Sequence, residues 1–268
     1  MRFAAGITLY NPSRNQIERI RNYEQSFEHI FLFDNSEPEF ERFDYELSDN
    51  FTIITENDNK GLPYAFNAII GHCQNYDFLC TLDQDSVFTS ENIQAIERFI
   101  TSYPGITSIG IVAPYINKYY TTKDSFEVKK WLITSGSFVN IKAFKKHSLS
   151  YDLNYFIDKF EIDLCMQFSR LGYSLLMYNG AVLYQSLGEQ TVSKHSSHNP
   201  LRHYYLFRNR FYFNNKWYKG ATKLFFNIAQ TIKHYTLIMI YEPDKVAKIK
   251  ASITAIDDYR NGRMGKKK

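Results

Sequence analysis

Apolar residues in the first part of the chain fall into short runs that close on polar turns, separated by stretches with helical spacing. Residues 3–9 form an apolar run ending at Asn11-Pro12, and Ile17, Ile20 and Tyr23 then recur at helical intervals over 15–23. A strand is therefore followed by a helix. The pattern repeats with apolar strands at 29–33 and 51–55 and a helix at 62–73 carrying Ala65, Ala68, Ile69 and Cys73 on one side. A strand at 78–82 and a helix at 91–102 capped by Ser90 follow. Further strands are expected at 108–113, 132–140, 174–178 and 181–184, with 156–171 a loop entering a helix that closes at Gly172. Such alternation predicts an α/β fold with a mostly parallel, helix-covered sheet, in which ligands bind outside the carboxyl ends of the strands.

Beyond His195 the chain becomes aromatic, basic and helical in spacing. The texture predicts one domain over 1–199, a helical extension over 200–260 and a disordered basic tail over 261–268. Within 221–241, Leu224, Phe225, Ile228, Ile232, Tyr235 and Met239 share a broad stripe edged by Lys223 and Lys233. Such a helix fits the surface of a membrane, and equally its own domain or a second copy in a homodimer. No internal repeat is present.

The length of 268 residues suits one large core, and Cys73, Cys80 and Cys165 lie in apolar surroundings without a CxxC pair, which predicts buried thiols and neither zinc nor disulfides. The opening run is too short for a signal-peptide core, and no apolar stretch reaches the roughly 20 residues of a membrane span, so a cytoplasmic protein is expected. The net charge of +4 is modest, with basic residues concentrated late, and predicts no nucleic-acid partner. The 21 tyrosines and 22 phenylalanines suit a sugar-stacking surface or an aromatic core.

Chemistry is expected at the polar strand ends. Asp83 and Asp85 flank one residue at the end of a buried strand, a placement that lets two carboxylates share a hard cation such as Mg2+ or Mn2+, which uses oxygen ligands and substrate phosphates. Alone, Asp-x-Asp also describes a turn and a helix cap. It stands, however, with Thr8-Leu9-Tyr10-Asn11-Pro12, Asp34-Asn35-Ser36 and Asn59-Lys60-Gly61 at three other strand ends.

In that order, these segments and Leu82-Asp83-Gln84-Asp85-Ser86 resemble the nucleotide-binding half of the inverting family-two glycosyltransferases, which have the GT-A fold. The resemblance implies that Thr8 and Tyr10 line the base pocket and Asp34 bonds the base. It implies that Asn59, Gly61 and Asn67 shape the ribose and diphosphate wall, that Asp83 reaches ribose or metal, and that Asp85 ligates the metal. A nucleotide-sugar donor, and Mg2+ or Mn2+ as cofactor, follow.

Downstream, Phe156-Ile157-Asp158-Lys159-Phe160-Glu161-Ile162-Asp163 resembles the family's acidic base motif, with Glu161 at the base position, Asp163 just after it and Asp158 a third candidate. Gln167 stands where an arginine is common. Acids at a helix start also simply favour its positive end. Ser135-Gly136-Ser137 falls where the family places an acceptor-side loop, and equally describes a tight strand bend. Gln185 takes the place at which a late loop often presents a metal-directed histidine, leaving waters, His195 or His198 to complete the cation. The nearest texture is the rhamnosyltransferase-like branch, through Arg202-His203-Tyr204-Tyr205-Leu206-Phe207-Arg208-Asn209 and Gly262-Arg263-Met264-Gly265-Lys266. It implies a donor such as dTDP-rhamnose and a bacterial surface glycan or lipid-linked acceptor. Arg202 and Arg208 are suited to phosphate pairing, or to a solvated basic face. The alternatives are a sugar-phosphate nucleotidyltransferase, whose glycine-rich triphosphate loop MRFAAGITLYNP does not supply, and a non-catalytic glycan- or membrane-surface-binding protein.

Overall fold

The computed structural model describes residues 1–117, 125–185 and 198–267. The chain forms two compact units, one of Met1–Asp152 with Glu161–Gln185, the other of Leu153–Phe160 with Ser186–Lys268.

In the first unit, β1 (Phe3–Leu9), β2 (Ile30–Asp34), β3 (Phe51–Thr55) and β4 (Phe78–Asp83) pair in parallel, and α1 (Arg14–Arg21), α2 (Leu62–His72) and α3 (Ser90–Ser102) lie between or after them. Every residue of β1 and β2 is buried, as expected of strands covered on both faces. Beyond β4 come β5 (Ile109–Ile116), β6 (Phe126–Val128), β7 (Ser137–Asn140), α4 (Ile141–Lys146), α5 (Phe160–Arg170) and β8 (Ser174–Leu183). The eight strands stand in the order β3-β2-β1-β4-β7-β5-β8-β6. β7 runs antiparallel to both β4 and β5, so the sheet is parallel on one side and mixed on the other.

Local chemistry explains the boundaries. Ser13 and Gln16 close a capping box on α1. Thr89, not Ser90, caps α3, its side chain accepting from the Asn92 amide. Residues 132–136, expected as strand, form a bend before β7, because Gly136 sits at φ 80° and a Cβ there would lie 2.8 Å from Leu183 and Pro114 side chains. The two short strands expected near the end of this unit are one continuous strand, β8.

The second unit is built on α6 (Pro200–Trp217), α7 (Gly220–Tyr241) and α8 (Lys245–Arg260), with Tyr204, Tyr205, Phe207 and Ala255 buried at its centre. It claims residues 153–160, which the sequence assigned to the first domain. The Asn209 side chain donates to the carbonyls of Ile157 and Asp158, and Phe156 stacks on Tyr205 at 5.2 Å. The expected disordered tail is a correction too: Gly265 donates to the Asn154 carbonyl at 3.0 Å, Arg263 pairs with Asp258 at 2.6 Å, and the Lys267 amide donates to the Tyr205 hydroxyl at 2.9 Å. Among the described residues, no helix is long and apolar enough to cross a membrane.

Candidate active site

Parallel register brings the polar strand ends together. Thr8 lies opposite Asp83 across the β1–β4 pair, and Leu9 lies opposite Asp34 across the β1–β2 pair. Three neighbouring strands thus deliver Thr8, Asp34 and Asp83 to one edge of the sheet. This is where a parallel sheet binds its ligands.

Past β1, Tyr10 is held by its backbone. Gln84 accepts from the Tyr10 amide at 2.7 Å and donates to the Tyr10 carbonyl at 3.0 Å, while the Tyr10 ring is left 48% exposed. The residue between the two aspartates therefore positions an open aromatic face, a role the sequence reading missed. Alternation signalled only that Gln84 points away from Asp83 and Asp85. Asn11 follows at φ 46°, its amide donating to the Ser36 hydroxyl at 2.8 Å.

Asp34 is buried, and both its carboxylate oxygens have partners in its own loop. One accepts from the Ser36 amide at 3.0 Å and the other from the Arg42 guanidinium at 2.7 Å. The Tyr45 phenol beside it is pushed up to about 12 by burial and by the Asp34 charge. Asp34 thus organises the 34–45 loop, and Arg42 is a second functional neighbour that no motif announced. Lys60 donates its amide to the Asn35 side chain at 2.7 Å, and Asn59 accepts from the Gly61 amide at 3.1 Å, with Gly61 at φ 84° opening α2. Only glycine takes that conformation without strain. Asn67, expected on the diphosphate wall, instead exchanges two hydrogen bonds with the Tyr151 backbone, at 2.8 and 2.9 Å. Its amide anchors the segment before α5.

The Asp83 amide donates to the Ser135 hydroxyl at 3.2 Å, and the Ser86 and Ser135 hydroxyls bond each other. The Gly136 amide donates to the Thr81 carbonyl at 2.7 Å. Ser135-Gly136-Ser137 is therefore the tight bend, and it fixes the Asp83-to-Ser86 turn from behind. Gln185 donates its side-chain amide to the Asp83 carboxylate at 2.7 Å, and its own backbone is held by a two-way bond with the Asn117 side chain, at 2.8 and 3.0 Å. The late loop thus meets Asp83 through a neutral amide. Asp85 is partly exposed and its carboxylate has no hydrogen bond or ion pair among the described residues. A group of three or more metal-binding side chains is not found among the described residues, so the pair Asp83 and Asp85 would need phosphate or water to complete a cation's shell. His195 lies outside the described residues.

On α5, Asp163 is fully buried and accepts from the Gln167 side chain at 2.8 Å. Gln167, standing where an arginine was expected, also donates to the Ser150 carbonyl at 3.0 Å. Glu161 is half-buried, near the Tyr151 phenol and the Cys165 thiol; burial, reinforced by its charge, raises both, the thiol to about 12. In the second unit Asp158 pairs with Arg202 at 2.8 Å. Arg208, expected to meet phosphate, is 1% exposed and donates to the Gly265 carbonyl at 2.6 Å and the Tyr204 hydroxyl at 3.1 Å. It orders the tail and has no open face.

Residues 14–170 match the family model of glycosyl transferase family 2, more than half of the chain. Among solved structures, S. aureus TarS 1-349 in complex with UDP-GlcNAc superposes with a TM-score of 0.58 at 12% identity, covering 97% of this chain and 80% of that one. GalNAc-T7 with UDP, GalNAc and Mn2+ superposes with a TM-score of 0.56 at 11% identity, covering 69% of this chain, which spans 43% of that protein's length. At such identities the likeness shows the fold, which is GT-A. No curated protein matches in sequence.

Proposed function

Since the chain belongs to glycosyl transferase family 2, we propose that it moves a sugar from a nucleoside diphosphate to an acceptor hydroxyl, inverting the anomeric carbon in one displacement. One observation carries the reading: Asp34, Thr8 and Asp83 share a strand edge that runs directly into Asp85, whose carboxylate has no partner among the described residues. The Tyr10 ring, backbone-clamped and open, stacks on the base. Gly61 and the start of α2 let the backbone approach the ribose and diphosphate, with Asn59 shaping that turn.

The acidic pair fits a hard divalent cation, Mg2+ or Mn2+, held by Asp83 and Asp85 with donor phosphates beside them. When bound, the ion neutralises the charge that builds on the departing diphosphate. Gln185 fixes the orientation of Asp83 for that duty. Glu161 takes the proton from the attacking hydroxyl, because Asp163 is buried under Gln167 and Asp158 pairs with Arg202. Glu161→Gln is expected to lower turnover by about a hundredfold or more with donor binding intact, and Asp163→Asn by less. Equal turnover in wild type and Glu161→Gln would remove Glu161 from this role.

The sequence resemblance favours a deoxyhexose donor such as dTDP-rhamnose and a bacterial surface glycan or lipid-linked acceptor. A screen of nucleotide sugars for transfer by the full chain identifies the donor. Turnover of UDP-hexoses with none of dTDP-rhamnose would overturn that choice.

A further inference from the structure

The helical unit contains a cavity of about 400 Å3, lined by the polar residues Lys159, Arg210, Lys233, His203, His234 and Glu242 and by the apolar Leu206, Leu237 and Tyr241. Its polar residues form a chain whose proton positions can be deduced. Arg210 can only donate, so the His234 Nδ1 it meets at 2.6 Å is an acceptor. His234 then carries its proton on Nε2 and donates to His203 Nδ1 at 2.8 Å, and His203 donates from Nε2 to Glu242 at 2.9 Å. Both imidazoles are neutral in this arrangement. Burial, with Arg210 and His203 nearby, holds the His234 pKa down to about 3.

The charge of Glu242 is met by Lys248 at 2.6 Å. That leaves Arg210 without a carboxylate among the described residues: its other contacts there are the Gln230 carbonyl at 3.0 Å and the Phe207 ring. A largely buried guanidinium without an anion is electrostatically unfavourable, and burial pulls its pKa down to about 10. Lys233, exposed at the cavity, has no acidic partner among the described residues either. The neutral histidines do nothing to cancel these charges, so the cavity combines uncompensated positive charge with an apolar part of its lining.

We propose that this cavity binds a terminal phosphate group carried by an amphipathic molecule. Arg210 keeps free donors of its planar fork for phosphate oxygens, and Lys233 adds a point charge at the opening. The apolar lining residues and the exposed stripe of α7, Leu224, Phe225, Ile228 and Ile232, favour a lipid phosphate over a soluble one. All these residues belong to the helical unit, so the inference goes beyond sugar transfer and stands without it.

The test uses the full chain at fixed chloride concentration. Sedimentation is measured with vesicles of phosphatidylcholine containing either phosphatidic acid or phosphatidylglycerol at matched surface charge, and calorimetry with inorganic phosphate. A preference for phosphatidic acid that weakens about tenfold in Lys233→Ala and in Arg210→Gln is expected. Phosphate binding with the same sensitivity to both variants, and no vesicle preference, would keep the site but make its source soluble. Absence of binding in both arms, or binding unchanged in the variants, overturns the proposal. Should Arg210→Gln fail to fold, Lys233→Ala decides, since its side chain is exposed.

Discussion

Gln185 and Asp83, 102 residues apart, are joined by a 2.7 Å hydrogen bond from the amide of one to the carboxylate of the other. A neutral donor on a carboxylate orients it while leaving its charge in place. Asn117 braces the same loop from the other side.

Removing that orienting bond is expected to weaken the donor complex while the fold stays intact. Gln185→Ala should raise the donor KM about tenfold, in line with the worth of a hydrogen bond to a charged group, with little change in unfolding midpoint. Asn117→Ala should do the same more weakly. Steady-state kinetics checked against urea unfolding separates the two effects.

Asp34 is buried against Arg42, whose guanidinium is part-exposed. Arg42→Met leaves that carboxylate without its charged partner and should cost about 1–3 kcal/mol of stability, read from urea unfolding. Arg42→Lys should recover part of the loss.

Much of this was legible in the sequence, because β1, β2 and nearly all of β4 are buried and so read as plain apolar runs closed by polar ends. Those ends include Asp34 and Asp83, which close β2 and β4 beside the end of β1. What escaped were partnerships between distant segments. Gln84 with Tyr10, Asn67 with Tyr151, and Arg208 with the Gly265 carbonyl depend on tertiary approach, which periodicity does not encode. The tail was misread for the same reason: its composition is that of a disordered segment, but buried Arg208 and the Tyr205 hydroxyl supply it with partners.

Gly136 offers a test of the bend behind the acidic turn. At φ 80° with side chains of Leu183 and Pro114 at 2.8 Å from a would-be Cβ, Gly136→Ala should destabilise by about 2–4 kcal/mol. Because Ser135 holds the Asp83 amide, activity at a temperature where the variant remains folded should fall as well.

Acid sensitivity should trace to the imidazole chain of the helical unit. The folded His234 pKa of about 3 lies below the ordinary 6.5, so the unfolded chain binds the proton first on acidification. Stability is therefore full above about pH 6.5 and declines as pH falls toward about 3. In His234→Gln, which keeps a side-chain acceptor for Arg210, the decline across that window should be shallower. Chemical unfolding of both proteins at a series of pH values gives the difference.

If Asp83 and Asp85 serve a divalent cation in nucleotide-sugar transfer, turnover must depend on both the metal and the carboxylate. Turnover of the accepted nucleotide sugar is measured for wild type and Asp85→Asn, each with Mn2+ and with chelator, after confirming that both are folded. Transfer is expected only by wild type with the metal, with a loss of at least about a hundredfold in Asp85→Asn. Undiminished transfer by Asp85→Asn, or by wild type in chelator, would remove the cation from this role.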